Sequence, residues 1–286
     1  MRLLLLWLGL VLALAQPGRA EPPRVVADIP PVHSLASMVM EGIATPALLL
    51  DTAASPHQGR LRPSQARALA RADVVFLVGD ALTPWLGRAI AGLSEGAVPV
   101  VLLEAPGTRL RRTDGGGTDP HAWLDPQNAI VWVRTIAETL SALDPDNAAA
   151  YRANAGTAEA TIEAAMKRAE ERLAPARALR LVFSHDAFGY FTARFGLRTV
   201  GTMADGDAAA PGAARLATLR KMARAGGIDC LLIEPGTSPA MAGLIAAEAD
   251  IPAAVVDPLG FALPAGASQY PRLILGMADT IASCAR

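Results

Sequence analysis

Residues 144–175 read DPDNAAAYRANAGTAEATIEAAMKRAEERLAP, and this stretch decides how the chain is organised. It is rich in Ala, Glu, Arg and Lys, all strong helix formers, and it holds no proline between Pro145 and Pro175. Asp144-Pro145 supplies a capping residue followed by a proline suited to the first helical position, and Pro175 closes the run. At about 1.5 Å per residue such a helix extends roughly 45 Å, enough to cross from one lobe to another. A surface helix within one domain would leave that length without a reason. A single stiff connector also permits less hinge opening than two or three flexible crossings would.

Working outward, short apolar and β-branched runs lie on both sides of this helix. Strands are expected at residues 25–29, 47–50, 74–79 and 98–103, and again at 180–183, 199–201, 230–234 and 253–256. Helical patterns lie between them, at 63–71, 84–92, 126–143, 186–195, 215–225 and 239–249. Strands that alternate with helices imply parallel sheets covered on both faces. The predicted fold is therefore α/β: two doubly wound lobes with parallel four-stranded sheets, joined by one long backbone helix. The boundaries expected are a leader at 1–20, a first lobe at 21–143, the connector at 144–175 and a second lobe at 176–286. No short internal repeat is visible.

The leader reads as an export signal. Arg2 gives a positive start, residues 3–15 are almost purely apolar, and Gly18-Arg19-Ala20 offers a cleavage site before Glu21. The apolar run falls short of the roughly 20 residues a membrane span needs. No cysteine stands at the cleavage point, so the expected mature form is free in a periplasm, without a lipid anchor. Losing Arg2 and Arg19 from 26 basic residues, against 27 acidic ones, leaves a near-neutral chain. That balance excludes a nucleic-acid partner of the ordinary basic-faced kind. In an oxidising compartment the two cysteines, Cys230 and Cys284, read as one disulfide tying the strand at 230–233 to the C-terminal helix. Thiolate metal ligation would call for a closer Cys-x-x-Cys spacing.

Three of the four histidines have patterned positions. His57 follows the strand at 47–50 by a short loop. His121 follows the strand at 98–103 and a glycine loop, and His185 lies directly beyond the strand at 180–183. Asp257 likewise lies directly beyond the strand at 253–256. All four sit at or past the carboxyl ends of parallel strands, the edge where open α/β sheets bind ligands. Two come from each lobe, so they would meet between the lobes. Three imidazoles and one carboxylate form a tetrahedral zinc set, and imidazole nitrogen suits zinc, copper and nickel better than manganese or magnesium.

The ordered pieces Ser55-Pro56-His57 with Leu61-Arg62-Pro63-Ser64, His121-Ala122-Trp123-Leu124-Asp125-Pro126, Ser184-His185-Asp186-Ala187-Phe188 with Tyr190-Phe191, Glu234-Pro235 and Asp257-Pro258-Leu259-Gly260 carry a resemblance. The chain resembles the metal-specific solute-binding proteins of ABC importers, in their zinc-specific branch, over essentially its whole mature length. The resemblance implies two lobes joined by one long helix, with Zn(II) between them as transported ligand. It also implies His57, His121 and His185 as ligands, Asp257 as the fourth, and an ABC permease as partner. Manganese-binding relatives generally have a carboxylate in place of His185. A monomer is expected.

Two departures stand out. Many zinc members have a His- and Asp-rich loop before the second ligand, whereas residues 107–119 contain no histidine and carry Arg109, Arg111 and Arg112. This segment reads as an exposed loop that weakly repels cations, and it could dock an acidic partner such as a periplasmic metallochaperone. Gln58-Gly59 replaces the acidic-aromatic pair usual after the first ligand, and Pro56 precedes it, so no acid beside His57 competes with Asp257.

Of the remaining residues, His33 reads as a capping residue or a support to a ligand. Trp123 and Phe188 read as cleft wall, and Asp125 as part of a turn. Glu234 either orients a ligand histidine or is a satisfied core carboxylate. The alternatives in function are a periplasmic zinc-dependent hydrolase and an adhesin-like metal-binding protein. The hydrolase lacks a His-Glu-x-x-His helix and a glutamate beside a ligand to act as base, so an enzyme is not expected.

Overall fold

The structure is a computed structural model that describes residues 21–51, 59, 61–94, 96–113, 116–204, 212–235, 237, 243, 245–247 and 250–285. The leader at 1–20, the motif carrying His57 and most of the helix expected at 239–249 lie outside the described residues.

Two four-stranded, all-parallel sheets form the framework. The first comprises β1 (Val25–Ala27), β2 (Ala47–Leu48), β3 (Val74–Leu77) and β4 (Val98–Val101), in the order β2-β1-β3-β4. The second comprises β5 (Arg180–Phe183), β6 (Arg198–Thr202), β7 (Cys230–Ile233) and β8 (Ala253–Val255), in the matching order β6-β5-β7-β8. All eight strands fall where the sequence places them, most of them shorter by one or two residues at the carboxyl end. There the chain leaves the ladder to build loops; after β4 it turns at once into a 3-10 turn at Leu102–Glu104.

Parallel neighbours require crossovers. In the first half these are α1 (Pro30–Val39), α2 (Pro63–Ala70) and α3 (Leu86–Leu93). Helix α4 (Pro126–Leu143) follows β4, and the connector is α5 (Ala148–Leu173); α6 (Gly189–Phe195) and α7 (Ala213–Arg224) are crossovers of the second half, and α8 (Gln269–Ser283) ends the chain's described helices. Helix α1 is not among the helices expected from the sequence; Pro30 and Pro31 occupy its first turn, where no amide hydrogen is needed.

The two halves duplicate one another in detail. Arg24 and Arg180, each just before or at the start of the second-placed strand, grip Asp73 and Asp229 in the same manner. In each pair the arginine amide and Nε donate to one carboxylate oxygen and Nη2 to the other, at 2.6–3.0 Å. Arg180 holds the Asp229 carboxyl down at about 2. These clamps close the amino ends of the sheets and leave the carboxyl ends for function.

Helix α5 spans 26 residues, about 39 Å, which is shorter than expected because residues 145–147 form a 3-10 turn. Asp144 ends α4 and accepts hydrogen bonds from Asn147 (2.7 Å) and Tyr151 (2.9 Å), making an elbow rather than a helix start. The buried face of α5 runs Tyr151, Ala155, Ala158, Ile162, Ala165, Ala169, Leu173, a three-four spacing that lets it lie along α4 and α8. Helix α8 also reaches the first half: the Tyr270 amide donates to Ser34 Oγ, which donates to the Gly266 carbonyl. One continuous core consequently spans both halves, with a smaller cluster under α7 around Val182, Met203 and Leu219. Among the described residues no helix is long and apolar enough to cross a membrane.

Asp28, at the end of β1, is fully buried and accepts the amides of Ile29 and Val78 at 2.8 Å each. Burial outweighs these bonds and pushes its carboxyl up to about 7. With the folded value above the unfolded one, the folded state binds more protons between about pH 4 and 7, so stability falls as pH rises through that window. The gap corresponds to about 4 kcal/mol. Urea unfolding should show the wild type losing about 2–3 kcal/mol of this from pH 5 to pH 8 relative to Asp28→Asn, the rest being lost below pH 5, and parallel pH profiles would refute the assignment.

Candidate metal centre

The carboxyl ends of both sheets meet beside two imidazoles. His121 precedes a 3-10 turn (Ala122–Leu124) that leads into α4, and His185 lies two residues beyond β5. Their ring centroids are 5.5 Å apart in an edge arrangement, although the residues belong to opposite halves.

Each ring is held by a carboxylate at the same nitrogen. His121 Nδ1 lies 2.8 Å from Asp119 Oδ1, which also accepts the His121 amide at 3.0 Å. His185 Nδ1 lies 2.6 Å from Glu234 Oε1, the oxygen that accepts Ser184 Oγ. A carboxylate at Nδ1 favours the proton there and leaves Nε2 as the acceptor nitrogen of a neutral ring. Glu234 thus orients a histidine, the first of its two sequence readings. Its position is explained by the duplication. Positions 28 and 78 of the first half correspond to 184 and 234 of the second, each pair 50 residues apart and bonded across the central strands. In the first half a buried acid meets a backbone amide; in the second, a serine meets an acid that also reaches the imidazole.

Apolar rings wall the site. The Trp123 ring lies 5.2 Å from His121, and Phe188, 6.4 Å from His185, stacks on Phe183 at 4.4 Å. Several contacts fasten the halves together here. Trp123 Nε1 donates to the Pro258 carbonyl (2.8 Å), and the Tyr270 hydroxyl donates to the Trp123 carbonyl (2.6 Å). Asp125 caps α4 through the Gln127 amide and takes a two-pronged ion pair from Arg194 of α6 at 2.7 and 2.8 Å. The Tyr190 hydroxyl accepts the Arg111 amide (2.7 Å) and donates to the Asp119 carbonyl (3.1 Å). Burial pushes that phenol up to about 12, so it stays protonated and can do both.

Asp257 follows β8 as expected. Its carboxylate accepts the amides of Leu259 (3.1 Å), Gly260 (2.8 Å) and Ala262 (3.2 Å), which folds the turn beside Trp123. A carboxylate has about four acceptor positions, so these bonds do not exhaust it. The described residues, which include His121, His185 and Asp257 but not His57, contain no group of three metal-binding side chains.

The sequence model of the ZnuA family, the periplasmic component A of zinc-uptake complexes, matches residues 25–284. The chain belongs to this family. It is 38% identical to the high-affinity zinc uptake system protein ZnuA of Paracoccus denitrificans over 306 residues, covering 94% of each chain. Against the protein of the same description from Brucella abortus it is 31% identical over 307 residues, covering 92% of each. A crystal structure of ZnuA superposes with a TM-score of 0.81 at 23% identity, over 92% of this chain and 99% of that one. ZnuA members are periplasmic components of uptake systems, and the chain is a binding protein rather than an enzyme. The hydrolase and adhesin-like alternatives are set aside on that ground.

One other sequence reading changes. His33 is not a helix cap: it sits inside α1, buried, with Nε2 3.1 Å from the Pro46 carbonyl, and ties that helix to the approach to β2. Burial lowers its pKa, which keeps it neutral. The segment after Gly107 is an exposed loop, as the sequence reads, pinned by one isolated antiparallel bridge between Arg112 and Thr118. Asp119 went unnoticed in the sequence. Its signal was available, an aspartate two residues before a histidine, the spacing of an Asx turn.

Proposed function

We propose that the chain captures Zn(II) between its two halves through His57, His121 and His185, with Asp257 as fourth ligand. It then delivers the ion to the permease of an ABC importer. The observation that carries this reading is the 5.5 Å separation of the His121 and His185 rings. Two imidazoles bound to one tetrahedral zinc at about 2.0–2.1 Å would have centroids roughly 5 Å apart. The carboxylates at both Nδ1 atoms add the outer support that zinc-bound imidazoles use.

In this reading residues 1–20 direct export and are removed, residues 21–143 and 176–286 form the two lobes, and residues 144–175 connect them. The chain acts as a monomer. The repeated strand order and the continuous core favour a carrier whose lobes shift modestly.

Metal-stripped protein should take up one zinc per chain in calorimetry, confirmed by elemental analysis. Asp257→Ala should cost about tenfold in affinity, because water can replace a carboxylate ligand and the turn it caps is exposed on one side. Zinc bound equally well after loss of all three histidines would end the proposal.

A further inference from the structure

Residues 109–112 read Arg-Leu-Arg-Arg, and all four are exposed. Leu110 is 55% accessible, among the most exposed large apolar residues described. None of the three guanidiniums forms an ion pair among the described residues. Arg112 Nη1 donates only to the Gly116 carbonyl, and Arg111 lies over the Tyr190 ring at 5.8 Å.

The strip is held rigidly. At one end the side chain of Asn128 accepts the Arg109 amide (2.8 Å) and donates to the Arg109 carbonyl (3.0 Å). At the other, the Arg111 amide donates to Tyr190 and the Arg111 carbonyl accepts the Asp119 amide (3.0 Å). The tip is closed by the Thr113 amide on the Gly117 carbonyl and the Gly116 amide on the Thr113 carbonyl. A surface ordered in advance loses little entropy on binding.

Three positive charges beside the cleft oppose the entry of a dication, so this loop is placed badly for metal capture. Its chemistry suits carboxylates instead, since the planar guanidinium forms paired hydrogen bonds with them. A lipid surface is a poorer match, because membrane-binding patches cluster more cations and the strip offers one apolar side chain. We propose that the edge formed by Arg109, Leu110, Arg111 and Arg112 docks an acidic protein segment on the periplasmic face of the importer. The identity of that partner rests on the carrier reading above.

The test uses zinc-loaded full chain and the importer in nanodiscs, with binding measured directly at 0.05 M and 0.5 M NaCl. Combined Arg109→Glu, Arg111→Glu and Arg112→Glu should weaken binding at least about tenfold at low salt. The gap should shrink to within threefold at high salt, where rim charges are screened. The corresponding triple lysine variant keeps the charge but loses the paired hydrogen bonds, so it should bind between the wild type and the glutamate variant at low salt. Zinc affinity, measured by chelator competition, should be unchanged in both. Equal binding by wild type and the glutamate variant would overturn the proposal. So would an equal loss on nanodiscs of the same lipid without importer, or a loss that ignores salt. A wild type that docks yet takes up no zinc would defeat the carrier reading and leave the docking edge standing.

Discussion

Replacing His121 or His185 by alanine should lower zinc affinity by about 10²–10³-fold. Four-ligand protein zinc sites bind with about 10–16 kcal/mol, or roughly 2.5–4 kcal/mol per ligand. At about 1.4 kcal/mol per tenfold, this gives the stated range. Both rings sit in a buried, aromatic-walled site, where a truncated ligand leaves a gap that the fixed backbone cannot close. Glu234→Gln should act through His185 and cost less, about tenfold to a hundredfold, as changes to the partners of metal-bound histidines do. The graded order is the informative result in calorimetry: a large loss for the rings and a smaller one for the acid. Should Glu234→Gln prove as damaging as His185→Ala, the acid would have to be a ligand in its own right, and the proposed set would be wrong.

The same order explains what could be read in the sequence. Strand positions were legible because β3 and β7, buried on both faces, must be continuous apolar runs, and parallel sheets have few alternatives once eight such runs alternate with helices. The position of His185 followed from its place just past a strand end. What escaped was chemistry between distant residues. Nothing local marks Glu234 as a partner of His185, because the contact depends on the pairing of β5 with β7. Tyr190, although part of the quoted motif, and Arg194 a helix turn later show no such role locally, yet one holds the Arg111 amide and the other grips Asp125. The loop at 107–119 is legible as a loop, because its glycines and arginines have no periodicity. Its order comes from Asn128 and Tyr190, which lie outside it.

Reduction of the Cys230–Cys284 bond should lower the melting temperature of the zinc-free protein by about 8–15 °C. The bond joins β7, buried at the centre of the second sheet, to the last turn of α8, and closes a loop with a sequence separation of 54. In the chain-entropy account a loop of that length restricts the unfolded state by about 4 kcal/mol. For a domain near this size each kcal/mol moves the midpoint by roughly 2–4 °C. The effect should reach the whole chain. Helix α8 packs on α5 and bonds to Ser34 of the first half, so loosening its end weakens a core shared by both sheets. Reduction is a cleaner comparison than substitution, since alanine at position 230 would also open a void in a fully buried strand. Scanning calorimetry with and without reductant decides the matter. A shift under about 3 °C would mean that the surrounding packing already confines this segment, and that the crosslink adds little to it.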